Sequence, residues 1–80
     1  MIDVQVKLFA TLRRHYPEYG IGESMTVEVP TGTDVQSLLG HLQIPPDQVK
    51  VVFVNHVIRD REHTLADGDR VGLFPPVGGG

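Results

Sequence analysis

Ile2, Val4, Val6 and Leu8 alternate with Asp3, Gln5 and Lys7. This period of two predicts a strand with one buried face. Phe9 falls on the opposite face, with the polar residues. From Ala10 to Tyr16 the pattern becomes A-T-L-R-R-H-Y, which suits a short helix that Pro17 and Gly20 stop. Residues 20–24 read as a loop. Met25, Val27 and Val29 alternate with Thr26 and Glu28 and predict a second strand, ended by Pro30. Thr33 with Gln36 three residues later fits a capping box. Val35, Leu38, Leu39 and Leu42 then share one helical face, and Pro45-Pro46 prevents that helix from continuing. Lys50 to Asn55 (K-V-V-F-V-N) carries too many consecutive apolar residues for one wet face and predicts a buried strand. His56 to Arg59 is a short returning strand after a tight turn at Asn55-His56. Ala66-Asp67-Gly68-Asp69 is a turn, and Arg70 to Phe74 is the last strand.

Several short strands with one covering helix predict an α+β fold. The expected architecture is a mixed sheet of four to five strands with the amphipathic helix packed across it. The third and last strands, the most apolar, are expected at the centre, and the first two are expected to pair as an irregular hairpin. No repeat or linker divides the chain. Residues 1–74 read as one domain and residues 75–80 as a C-terminal tail.

Composition narrows the function. Seven Lys and Arg stand against ten Asp and Glu, a net charge of −3. A nucleic-acid binder or a polybasic membrane-surface protein needs the opposite balance, so neither nucleic acid nor membrane is an expected partner. The chain contains no cysteine, which excludes disulfides, thiolate metal sites and cysteine nucleophiles. No apolar run approaches the roughly 20 residues of a membrane span, and the N-terminus lacks the basic-then-apolar pattern of a signal peptide. A cytoplasmic protein is expected.

The tail carries the most chemistry. Pro75 and Pro76 fix φ near −65°, offer no N–H, and favour an extended conformation leading away from the sheet. Val77, Gly78, Gly79 and Gly80 follow. Fully extended, residues 75–80 reach about 20 Å beyond the body. The expected result is a stiff base, a flexible tip without side chains, and a terminal carboxylate whose ordinary pKa near 3.5 keeps it ionised at neutral pH. Such a carboxylate attacks the α-phosphate of ATP in a partner's closed pocket, giving an acyl-adenylate open to a thiol, a persulfide or an amine. A narrow tunnel admits glycine and excludes bulkier residues. The bland alternative is an inert Gly-rich end.

Leu65 to Gly80, L-A-D-G-D-R-V-G-L-F-P-P-V-G-G-G, resembles the MoaD/ThiS family of sulfur-carrier proteins, and within it the small subunits of molybdopterin synthase. Val6-Lys7-Leu8-Phe9-Ala10 with Leu12-Arg13 looks like that family's first strand and helix start. Val54-Asn55 with His56 to Ile58 looks like its central strand and turn. Gly78 departs from the Ala, Ser or Thr more usual there but stays small, and the loop from Tyr16 to Gly22 is longer than usual. The resemblance implies a ubiquitin-like β-grasp fold and a carrier that is not an enzyme by itself. It implies that Gly80, preceded by Gly79, is adenylated by an ATP-using, ubiquitin-activating-like adenylyltransferase and converted to a thiocarboxylate by a sulfur donor protein. The large catalytic subunit of the synthase would then bind the tail and pass the sulfur to a pyranopterin precursor of the molybdenum or tungsten cofactor. No cofactor is expected to stay bound to the chain. A ubiquitin-like modifier forming isopeptides through Gly80, and a sulfur carrier of thiamine thiazole synthesis, are the alternatives.

Phe9 and Phe74 are expected on the outward face of neighbouring strands. With Ile58, Pro75 and Val77 they form a candidate apolar patch at the root of the tail. The family resemblance puts Phe9, Ile58 and Phe74 in the partner-binding face, with Pro75, Pro76, Val77 and Gly78 continuing it. The competing reading puts Phe9 or Ile58 in a small second core under a loop. His15, His41, His56 and His63 make no helical ligand pair and read as solvated, so no metal site is expected. Asp67-Gly68-Asp69 lacks the other ligands of a calcium loop and reads as a turn.

Overall fold

The computed structural model describes residues 1–20 and 22–76. Its elements are β1 (Ile2–Leu8), a 3₁₀ helix (Ala10–His15), β2 (Ser24–Val29), α1 (Val35–Leu42), a short 3₁₀ turn (Pro46–Gln48), β3 (Val51–Val54), β4 (Val57–Arg59) and β5 (Arg70–Phe74). The strands form one mixed sheet in the order β2-β1-β5-β3-β4. β1 runs antiparallel to β2 and parallel to β5, and β3 runs antiparallel to both β4 and β5. The first and last strands of the chain are therefore neighbours in the middle of the sheet. The expected α+β arrangement stands, as does the hairpin of the first two strands.

One face of this sheet is covered. Val4, Val6, Val29 and Leu73 are buried in one cluster with Val35, Leu38 and Leu39 of α1. Leu12, Ile44, Val49 and Leu65 close the ends of the same core. Each such side chain contributes roughly 1.5–3 kcal/mol when fully buried. No polar or charged side chain lies among the described buried residues.

Local chemistry departs from expectation in three places. The cap of α1 is Asp34 rather than the Thr33–Gln36 box. Its carboxylate accepts from the Ser37 N–H at 2.8 Å, while the Thr33 hydroxyl donates to the Pro30 carbonyl at 2.6 Å. The two N–H groups that Asp34 does not reach are met from the returning segment: Val35 N–H donates to His63 O and Gln36 N–H to Arg61 O. The helix after β1 is 3₁₀, and Ala10 enters it at φ 53°. β3 is shorter than Lys50–Asn55 and is not buried on both faces. Val52 and Val54 face the core, while Val51 and Phe53 are half-buried on the other side.

The turn at Asn55-His56 is as tight as expected, with φ of 53° and 70°, the doubly positive geometry of a two-residue hairpin whose twist matches the strands. Asn55 does more than turn. Its side-chain amide donates to Asp69 Oδ1 at 2.9 Å and its Oδ1 accepts from the Arg70 N–H at 3.0 Å. Asp69 Oδ2 accepts from Ala66 N–H, and Asp67 Oδ1 accepts from Asp3 N–H. The Asp67-Gly68-Asp69 turn, with Gly68 at φ 85°, is thus pinned to both β1 and the β3–β4 hairpin. It fixes where β5 starts. No helix among the described residues is long and apolar enough to cross a membrane.

The Ser37 N–H bond to Asp34 holds that carboxyl below its ordinary value of 3.8. A lowered folded pKa favours the native state above the ordinary carboxylate range, and this contribution is lost as the pH falls through the folded value. Asp34→Ala is therefore expected to melt at a lower temperature than the natural chain at pH 7, with the difference narrowing below pH 3.8. Thermal melts by circular dichroism across that range check it.

Candidate functional site

Strand pairing decides which side chains meet on the uncovered face of the sheet. In the parallel β1–β5 pair, Lys7 lies opposite Gly72 and Leu8 opposite Leu73, so the next step brings Phe9 beside Phe74. In β3–β5, Val51 lies opposite Phe74 and Phe53 opposite Gly72. In β3–β4, Phe53 lies opposite Ile58. A row of apolar side chains thus runs across four strands at the end of the sheet where β5 finishes.

The rings make a defined cluster. Phe9 and Phe74 stack with centroids 4.1 Å apart and planes within 6°. Phe53 meets Phe74 edge-on at 5.4 Å and 71°. Pairs of these two kinds add about 0.5–1.5 kcal/mol beyond the area they bury. Phe9, Phe53 and Phe74 are each half-buried, and Ile58 is 65% exposed. Among the described residues, the exposure of Ile58 and the half-burial of Phe9 do not fit a second core under a loop.

Gly72 is the floor of the cluster. A Cβ built there would stand 3.3 Å from the Phe9 ring and 3.7 Å from the Phe74 ring. A glycine inside a strand weakens it, and its usual reason is the close approach of another group. Here that group is the Phe9 ring, which lies down on the strand because nothing projects from it.

The chain leaves the sheet at the same place. Lys50 N–H donates to Phe74 O at 2.8 Å, the last rung of the β3–β5 ladder. Pro75 follows without an N–H and is half-buried; Pro76 is exposed. Of the residues singled out in the sequence, Phe9, Phe74 and Pro75 come together at this root, with Ile58 beyond Phe53. Val77, Gly78, Gly79 and Gly80 lie outside the described residues.

Known proteins place this arrangement. The ThiS family profile matches residues 6–80. The chain belongs to the ThiS family. The molybdopterin synthase sulfur carrier subunit of Mycobacterium tuberculosis is 35% identical over 86 residues, covering all of both chains. Among solved structures, the putative molybdopterin converting factor subunit 1 of Pyrococcus furiosus superposes with a TM-score of 0.74 at 26% identity, over 96% of this chain and 100% of that one. The complex of subunits 1 and 2 of the molybdopterin-converting factor of Helicobacter pylori contains a chain that matches with a TM-score of 0.61 at 25% identity, over 99% and 100%. The fold of this ThiS-family chain is the expected ubiquitin-like β-grasp.

Sequence reasoning missed Phe53 and Gly72. The run of valines around Phe53 hides its alternation, but the two-residue turn at Asn55-His56 sets Phe53 opposite Ile58 and marks it as outward. The isolated Gly72 between Val71 and Leu73 was itself a sign of close approach. His15 is not a solvated histidine: its Nε2 is hydrogen-bonded to Gln48 Oε1 at 2.8 Å and the ring is half-buried. Among the described residues no group of three or more His, Asp or Glu is placed to hold a metal ion.

Gly72→Val is expected to push the Phe9 ring off the strand while the covered core stays as it is. Proton NMR checks this. The ring-current-shifted aromatic resonances of Phe9 and Phe74 should move, and the amide shifts of Val4, Val6 and Val52 should not.

Proposed function

We propose that this chain is a cytoplasmic sulfur carrier for molybdopterin synthesis, with Gly80 as its reactive end. The observation that carries the reading is the way β5 finishes. The ladder closes on Phe74 O, two prolines that cannot pair follow at once, and an aromatic cluster surrounds the point of departure. A docking surface and the base of a stalk are thus the same few residues. The end-to-end identity with a sulfur carrier subunit supports the same reading.

In the proposed cycle the Gly80 carboxylate attacks the α-phosphate of ATP held by a ubiquitin-activating-like adenylyltransferase, and pyrophosphate leaves. Sulfur from a donor protein, delivered at the oxidation level of hydrosulfide, displaces AMP and leaves a thiocarboxylate. In the synthase, that sulfur attacks a carbon of a pyranopterin precursor and displaces the oxygen substituent there. Water then cleaves the resulting thioester, leaving the sulfur on the pterin and Gly80 as the carboxylate. Gly79 and Gly78 let the end thread a narrow passage. The chain is a co-substrate, and acid–base groups and the closed pocket belong to its partners. Phe9, Ile58, Phe74, Pro75, Pro76 and Val77 make the contact with the large catalytic subunit.

Incubation with ATP, the activating enzyme and a sulfur source is expected to raise the intact mass by about 16 Da, one oxygen replaced by sulfur. Appending one residue after Gly80 should abolish that gain without moving the melting temperature. Gly-Gly remnants on lysines of other proteins, with no gain in mass, would instead assign the chain to protein modification, and an unmodified chain would leave a plain interaction module. Phe74→Ala is expected to keep the fold and to weaken binding to the large synthase subunit about 10–100-fold, the range of a buried aromatic anchor. Isothermal titration calorimetry measures it.

A further inference from the structure

The aromatic cluster is one wall of a shallow groove on the uncovered face of the sheet, and the other wall is cationic. Lys7 on β1 and Arg70 on β5 line it together with Phe9, Phe53 and Phe74, and the exposed His56 closes one end. Gln5 pairs with Arg70 and Lys7 with Gly72, so Lys7 and Arg70 are diagonal neighbours on one face. Both are exposed. Their charges add on this face rather than cancel. Among the described residues no carboxylate lines the groove, although the chain holds ten acidic residues and only seven Lys and Arg. The acids of this face, Asp3 and Glu28, sit opposite each other at the far end of the β1–β2 pair.

We infer that the groove takes a protein surface that sets an apolar side chain on the Phe53–Phe74 edge and a carboxylate between Lys7 and Arg70. The occupant is the large synthase subunit, so the inference rests on the carrier reading given above and adds the chemistry of recognition to it. The aromatic wall supplies affinity, because it is desolvated on contact. The two cations supply orientation and speed of encounter, because their field reaches beyond contact and is screened by salt. A nucleic acid fits this face less well: its continuous negative charge would run onto Asp3 and Glu28, whereas one carboxylate from a protein ends where the cations end.

The test compares the natural chain with K7E/R70E and with Phe74→Ala in binding the large subunit, by biolayer interferometry at about 50 mM and about 500 mM salt, where screening lengths differ about threefold. K7E/R70E is expected to bind at least about tenfold more weakly at low salt, chiefly through slower association, and to approach the natural chain at high salt. Phe74→Ala is expected to lose affinity at both. Both charged residues are exposed, so the melting temperature of K7E/R70E should stay within a few degrees, and K7Q/R70Q repeats the comparison without reversed charge. If K7E/R70E matches the natural chain in affinity and salt dependence while Phe74→Ala binds weakly, the carboxylate is refuted and the carrier's docking face stands. If Phe74→Ala also binds normally, the docking face itself is refuted, and the inference with it. Binding of a labelled oligouridine 20-mer, or self-association by sedimentation, that K7E/R70E abolishes would give the groove to nucleic acid or to a second copy and overturn the proposal.

Discussion

The parallel pairing of β1 with β5 is the contact on which the rest of this molecule depends. It joins the two ends of the sequence at the middle of the sheet, and it is the only route by which Phe9 and Phe74 come to share a surface. The pairing is held from both sides. α1 presses Val35, Leu38 and Leu39 onto the buried face, where Val4, Val6, Val71 and Leu73 meet it. The Asp67–Asp69 turn clamps the entry to β5 through Asp3 and Asn55. A slip of one residue would send every side chain of β5 to the wrong face. Phe74 would then enter the core, and the prolines would leave on the helix side.

The two faces of the sheet have separate tasks. The face under α1 is a dry aliphatic core built from valine and leucine, and it supplies stability. The open face is graded along the strands, from acids at the start of β1 to a cationic pair and then to the rings at its end. Tight packing on one side lets the other carry half-buried rings and a pair of like charges. Gly72 is the clearest mark of this division. It contributes nothing to the core, weakens its own strand, and earns its place only as the bed on which Phe9 lies.

Much of this was legible in the residues, and the failures have physical causes. The alternation of β1 and β2, the apolar stripe of α1 and the Asn55-His56 turn are local signals, and local signals survive into the fold. The cap of α1 was misread because Thr33 and Asp34 are both good capping residues. The Thr33 hydroxyl was already engaged by Pro30, which left Asp34 to meet the helix. Phe53 was hidden because valine occupies both faces of β3, so no alternation shows. The Asn55–Asp69–Arg70 network joins residues 14 and 15 positions apart, and no window short enough to reveal a period can contain it. The same holds for Arg61, whose guanidinium reaches Gln36 Oε1 and the carbonyls of Pro46 and Val49. The last four residues of the candidate site, 77–80, lie beyond what the structure describes.

The placement of β5 also bears on the order in which the molecule is made. β1 emerges first from the ribosome and has β2 beside it early, but its other edge waits for the final strand to be synthesised. Non-local pairing of this kind closes late. The ring pair of Phe9 and Phe74 therefore forms only once β5 has joined the sheet. Until β5 takes its place the open face lacks its stacked rings, so that surface is a product of the completed sheet and is absent from any partly folded state.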